Sequence, residues 1–120
     1  MKIAFTTSGE TLDAPLDGRF GRAPKFILYD IEKDSFEVIE NRQNLNTAQG
    51  AGIQAAETIA RAKADCLITG HCGPKAFRVL NAAGLAVYNC SEATVADALR
   101  AFREGILQSL DAADVEGHWI

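Results

Sequence analysis

The chain opens on Lys2-Ile3-Ala4-Phe5-Thr6-Thr7, an apolar and β-branched run halted by Ser8-Gly9-Glu10, which reads as a strand and a turn. From residue 10 to residue 24 no periodicity survives. Pro15, Gly18, Gly21 and Pro24 resist both helix and ladder, so a long irregular loop is expected there. Residues 25–31 are apolar and β-prone, Lys33-Asp34-Ser35 is a turn, and residues 36–40 resume extended character, which predicts an antiparallel hairpin. Residues 41–47 form a second polar loop. Ile53, Ala56, Ile59 and Ala60 then fall at helical spacing and predict a helix over 50–61.

Cys66-Leu67-Ile68-Thr69 is a strand-length apolar run, followed by Gly70-His71-Cys72-Gly73 and Pro74, a residue suited to the first position of a helix. Phe77, Leu80 and Ala83 form the inward stripe expected of that helix, with Gly84 as its C-cap. Leu85-Ala86-Val87-Tyr88 reads as another buried strand. Thr94 with Asp97 matches a capping box, and Val95, Ala98, Leu99 and Phe102 predict a third helix ending at Gly105. The order is thus strand, strand, strand, helix, strand, helix, strand, helix. Right-handed crossovers make the later strands parallel, so the class is α/β with one mixed five-stranded sheet.

Composition narrows this picture. The 120 residues fit a single domain spanning 1–120, and 48% hydrophobic with 23% charged residues is the composition of a soluble globular protein. The start, Met1 to Gly9, lacks the apolar core of a signal peptide, and no stretch is long and apolar enough to span a bilayer, so a cytoplasmic protein without a membrane partner is expected. A formal net charge of −4 speaks against nucleic acid as a general partner. Cys66, Cys72 and Cys90 are odd in number and form no CxxC, which disfavours a disulfide framework or a structural zinc site.

In open α/β sheets, ligands bind beyond the carboxyl ends of the parallel strands. Three segments map there: Thr7-Ser8-Gly9, with Ser8 as its candidate contact; Gly50-Ala51-Gly52; and Gly70-His71-Cys72-Gly73-Pro74. Two helix N-termini opening on one cleft would make an anion site, with Gly50, Gly52, Gly70 and Gly73 allowing close approach. Arg19-Phe20-Gly21-Arg22 on the long loop could close over such an anion, although two solvated loop arginines are the plainer reading. His71 and Cys72 add soft metal-ligand character, and the helix dipole after Pro74 should favour a Cys72 thiolate. A small buried loop cysteine is the alternative for Cys72. Cys66 is expected in the core, and Cys90, at the same sheet edge, is also read as core. His118 and Trp119 are read as structural.

These motifs together carry a resemblance. Arg19-Phe20-Gly21-Arg22-Ala23-Pro24, Gly50-Ala51-Gly52-Ile53-Gln54-Ala55-Ala56, Gly70-His71-Cys72-Gly73-Pro74-Lys75-Ala76-Phe77 and the terminal Gly117-His118-Trp119 are similar to the dinitrogenase iron-molybdenum cofactor-binding family over nearly the whole chain. The resemblance implies a ribonuclease H-like three-layer fold, strand order 3-2-1-4-5 with the second strand antiparallel, and helices on both faces. It also implies a non-catalytic carrier of a metal-sulfur cluster, either of iron-molybdenum-sulfur type or, as in small stand-alone members, a molybdenum-copper sulfide held without covalent attachment. Many relatives have another residue where Cys72 stands, so the family supports the pocket more than a thiolate ligand. A protein that donates or receives the cluster is the implied partner. Two other readings stay open: a thiol enzyme with Cys72 as nucleophile and His71 as base, and a cofactor-free interaction or regulatory domain. A nuclease is disfavoured, because the first strand has no carboxylate to hold magnesium.

Overall fold

The computed structural model describes residues 1–46 and 49–111. Five strands, β1 (Lys2–Thr7), β2 (Lys25–Asp30), β3 (Ser35–Glu40), β4 (Cys66–Thr69) and β5 (Ala86–Asn89), form one sheet in the order β3-β2-β1-β4-β5. β2 runs antiparallel to β1 and to β3, whereas β4 is parallel to both β1 and β5. This is the mixed sheet that the alternation of apolar runs requires.

The pleat sends alternate residues to opposite faces, and each face has its own helical cover. Ala4, Phe26, Leu28, Leu67 and Val87 point to the side packed by α1 (Ala51–Arg61) and α2 (Pro74–Ala82). Ile3, Phe5, Ile27, Tyr29, Cys66 and Ile68 point to the side packed by α3 (Val95–Arg103). Each helix buries a narrow stripe: Ala55, Ala56 and Ile59 in α1, Ala76, Phe77 and Leu80 in α2, and Val95, Ala98 and Leu99 in α3. The small residues of α1 let it lie close against the sheet and α2. No helix among the described residues is long and apolar enough to cross a membrane.

Two details differ from the pattern reading. Ala83 is exposed at the C-cap of α2, and Ala76 takes the inward place expected of it. The cause is the way the helix stops: Leu85 N–H donates to Leu80 O and Gly84 N–H to Asn81 O, both at 3.0 Å, with Gly84 at φ +84°. That Schellman closure absorbs Leu85, so β5 starts one residue late, at Ala86. In α3 only half of the capping box forms. Thr94 Oγ1 accepts from Asp97 N–H at 3.1 Å, but the Asp97 carboxylate accepts from Arg100 Nη2 at 3.0 Å instead of turning back. Of the stretch after Ile106, which has no clear pattern, Ser109 and Leu110 lie along the outer edge of β5, where Leu110 N–H donates to Val87 O at 2.7 Å.

Candidate functional site

The carboxyl ends of β1 and β4 end in threonines rather than aliphatics, and these hydroxyls tether the long loop. Thr6 Oγ1 donates to Asp17 O at 2.7 Å, which leaves Thr69 as donor in the buried 2.9 Å contact between the two hydroxyls. Thr6 O accepts from Asp17 N–H at 2.8 Å, and Thr7 Oγ1 donates to Pro15 O at the same length. Beyond this anchor Phe20 N–H donates to His71 O at 3.1 Å, and the Phe20 ring, 2% exposed, packs on Phe26. With Phe20 plugged into the core, Arg19 and Arg22 on either side are left exposed at the sheet edge.

Glycine is needed here for proximity, not for backbone conformation. A Cβ on Gly21 would stand 2.7 Å from Gly52 N, and one on Gly70 would stand 2.6 Å from Gly18 Cα. The arginine loop therefore lies directly on the start of α1. A Cβ on Gly52 would in turn meet Ala76 Cβ at 3.2 Å, so α1 and α2 begin side by side.

The helix starts differ in a telling way. In α3 every early amide is occupied: Val95 N–H donates to Ala14 O, Ala96 N–H to Leu12 O and Asp97 N–H to Thr94 Oγ1. α1 and α2 begin after Gly50 and Gly73, with no side-chain cap and no acidic residue in the first turn. Their first internal bonds are Gln54 N–H to Gly50 O and Phe77 N–H to Gly73 O. The amides of Ala51, Gly52 and Ile53, and of Lys75 and Ala76, precede those bonds and have no intrahelical partner. Pro74 has no N–H to offer.

A cleft of about 670 Å³ opens over these amides, lined by Arg19, Phe20, Gly21, Arg22, Gly50, Ala51, Gly52, Ile53, His71, Gly73, Pro74, Lys75 and Ala76. Among the described residues, two arginines and a lysine line it and no carboxylate does. Each helix N-terminus adds roughly half a positive charge. In a chain of formal net charge −4 this is a local reversal of sign. Its walls are otherwise apolar, which strengthens electrostatic attraction within it.

Of the residues singled out in the sequence, Arg19, Phe20, Gly21, Arg22, Gly50, Gly52, His71, Gly73 and Pro74 meet at this cleft. Ser8 is exposed and outside the lining, because the chain turns away after Thr7. Gly70 also lies outside it, packed against Gly18. The expectation of a Cys72 thiolate needs correction. Cys72 is 4% exposed, belongs to the core beneath α1 and α2, and donates its thiol weakly to Gly73 O at 3.7 Å. Burial pushes this thiol up to about 12, overriding any pull from the helix dipole. Cys90 is buried on the opposite face, beside Val95 and Leu99, and Cys66 sits in that same core. Among the described residues no three His, Cys, Asp or Glu side chains gather as a metal site. His118 and Trp119 lie outside the described residues. Sequence reasoning missed Ala51, Ile53, Lys75 and Ala76 as lining residues. Their signal was available, since the first turn of any uncapped helix faces the same opening as its N-cap.

A three-layer α/β protein with an uncapped, electropositive cleft at the carboxyl edge of its sheet belongs to the class of small cofactor-binding domains. Residues 1–105 match the family described as dinitrogenase iron-molybdenum cofactor, and the chain belongs to that family. The apo form of the orange protein from Desulfovibrio gigas superposes with a TM-score of 0.85 at 38% identity, covering 91% of this chain and 92% of that one. A Thermotoga protein solved by NMR gives 0.77 at 35% identity, with the same coverage of each chain. An uncharacterized protein of Methanocaldococcus jannaschii is 31% identical over 114 residues, 92% of each chain.

Proposed function

We propose that this protein is a non-catalytic carrier for an anionic metal-sulfur cluster, held without covalent attachment against the starts of α1 and α2. The observation that carries the reading is the pairing of two uncapped helix N-termini with Arg19, Arg22 and Lys75 in one cleft that, among the described residues, no carboxylate lines. Backbone amides and guanidiniums donate hydrogen bonds and neutralise charge; they do not ligate a metal. Among the described residues, His71 is the one lining residue with a metal-ligating side chain. The donor set therefore fits a cargo that brings its own sulfur ligands, such as a molybdenum-copper sulfide or an iron-molybdenum-sulfur cluster, and does not fit a bare cation. His71 is placed to touch the outer atoms of such a cargo. The apolar walls, Phe20, Ile53 and Pro74 among them, suit the soft surface of a sulfide.

The buried thiol of Cys72 and its raised pKa remove the support for a thiol enzyme. The role so assigned is delivery or storage in the cytoplasm, with a second protein that donates or accepts the cluster. The test is to mix anaerobic protein with tetrathiomolybdate and copper(I), then measure bound metal and visible charge-transfer absorption. Stoichiometric coloured protein is expected. Arg19→Ala and Arg22→Ala should each weaken retention about tenfold, the loss of one charge-assisted contact, while Cys72→Ala retains the colour. A colourless, metal-free product would leave a cofactor-free interaction domain as the better reading.

A further inference from the structure

One wall of the cleft is held by a residue that does not line it. Asn41 follows β3 directly, and its backbone N–H donates to Pro24 O at 3.0 Å, adding one rung to the β2–β3 pairing. Its side-chain Nδ2 donates to Gly21 O at 3.2 Å and to Ala23 O at 2.8 Å. One amide thus grips the carbonyl on each side of Arg22. The Asn41 Oδ1 accepts from Gln43 Nε2 at 2.8 Å, and that nitrogen also donates to Ala51 O, at 3.3 Å, in the first turn of α1. Both amide hydrogens and the carbonyl oxygen of Asn41 are engaged, a set that neither Asp nor Ser can reproduce.

We propose that Asn41 is a positioning residue for the anion cleft, acting through Arg22, with Gln43 completing the tie to α1. The proposal rests on the reading of the cleft as an anion site. Its necessity follows from the geometry. Arg22 is on an exposed loop segment whose own neighbour, Gly21, abuts the backbone of Gly52, so a small displacement either collides with α1 or swings the guanidinium off the helix starts. The described residues give Arg22 no carboxylate partner to steady it. The carbonyls of Gly21 and Ala23 are the points at which the Asn41 side chain fixes the loop on either side of Arg22.

Two measurements separate this proposal from the reading beneath it. In ligand-free protein, Asn41→Ala should speed amide hydrogen exchange across residues 19–23 about tenfold, the loss of two hydrogen bonds, with β4 and α3 unchanged. Asn41→Asp, the same shape without donors, should do the same. Unaltered exchange in that loop would overturn the proposal whether or not a ligand binds. The second measurement is a double-mutant cycle on tetrathiomolybdate affinity. Asn41→Ala should weaken binding about tenfold in the native background and have little effect once Arg22→Ala is present. Losses that multiply would also overturn it, since a merely structural role would add independently. Gln43→Ala, which removes the bonds to Asn41 Oδ1 and to Ala51 O but leaves both Asn41 donors on the loop, should give smaller changes of the same sign and serves if Asn41→Ala fails to fold. Failure of the unaltered protein to bind tetrathiomolybdate would reject the anion reading and with it the role assigned to Asn41, even if the exchange result showed that Asn41 holds the loop.

Discussion

Burial decides the chemistry of the cysteines. Cys66 and Cys72 are 2% and 4% exposed, and desolvation of the thiolate pushes both thiols up to about 12, with the charge of Asp65 adding to the effect at Cys66. A group whose pKa is raised by folding stabilises the fold fully below its unfolded pKa, about 8.5 for a thiol, and loses that contribution as pH climbs toward its folded value. Stability should therefore fall between about pH 8.5 and 12, by about 1.4 kcal/mol per pH unit for each thiol. Urea unfolding from pH 8 to pH 11 checks this: Cys72→Ala should flatten the slope by one thiol's share. An equal slope in the variant would mean that the thiol ionises freely in the folded state. Sequence position alone suggested the opposite, because Cys72 precedes a helix start. What it could not show is that the side chain turns into the core under α1 and α2.

At the scale of elements, the three helices stop in one way. Each closes with a Schellman pair of bonds, and the residue in left-handed conformation is Gly84 in α2, Gly105 in α3 and Lys63 in α1, at φ +66°. In α1 the bonds are Lys63 N–H to Ala60 O and Ala64 N–H to Ile59 O. A side chain with a Cβ costs about 1–2 kcal/mol in that conformation. Lys63→Gly should therefore raise stability by about 1 kcal/mol in thermal or chemical unfolding, less than the full strain because glycine also loosens the unfolded chain. The glycine-marked ends, the helical stripes and the succession of elements along the chain were legible in the sequence, since each depends on local pattern, whereas the strand order within the sheet was implied by the family resemblance. Ala83 was misjudged because periodicity does not say where a stripe leaves the sheet. The Thr6–Thr69 contact was not legible at all, because its partners are 63 residues apart and each alone reads as an ordinary strand residue.

The whole molecule sets its charges against its general sign. An acidic chain keeps Arg19, Arg22 and Lys75 around two helix starts, while the third helix start is closed by Ala14, Leu12 and Thr94. The glycine and arginine motifs made this arrangement visible in the sequence, since few other roles ask for small residues ahead of two helices and a basic pair on one loop. Lys75 and Asn41 were hidden because their importance depends on which residues the fold brings beside them. The most direct measurement is a nuclear magnetic resonance titration of the 15N-labelled protein with tetrathiomolybdate, a diamagnetic sulfide dianion. Saturable shifts are expected at the amides of Ala51, Gly52, Ile53, Lys75 and Ala76, with Val95, Ala96 and Asp97 at the start of α3 unmoved. Shifts that spare the first turns of α1 and α2, or that spread equally to α3, would contradict the account.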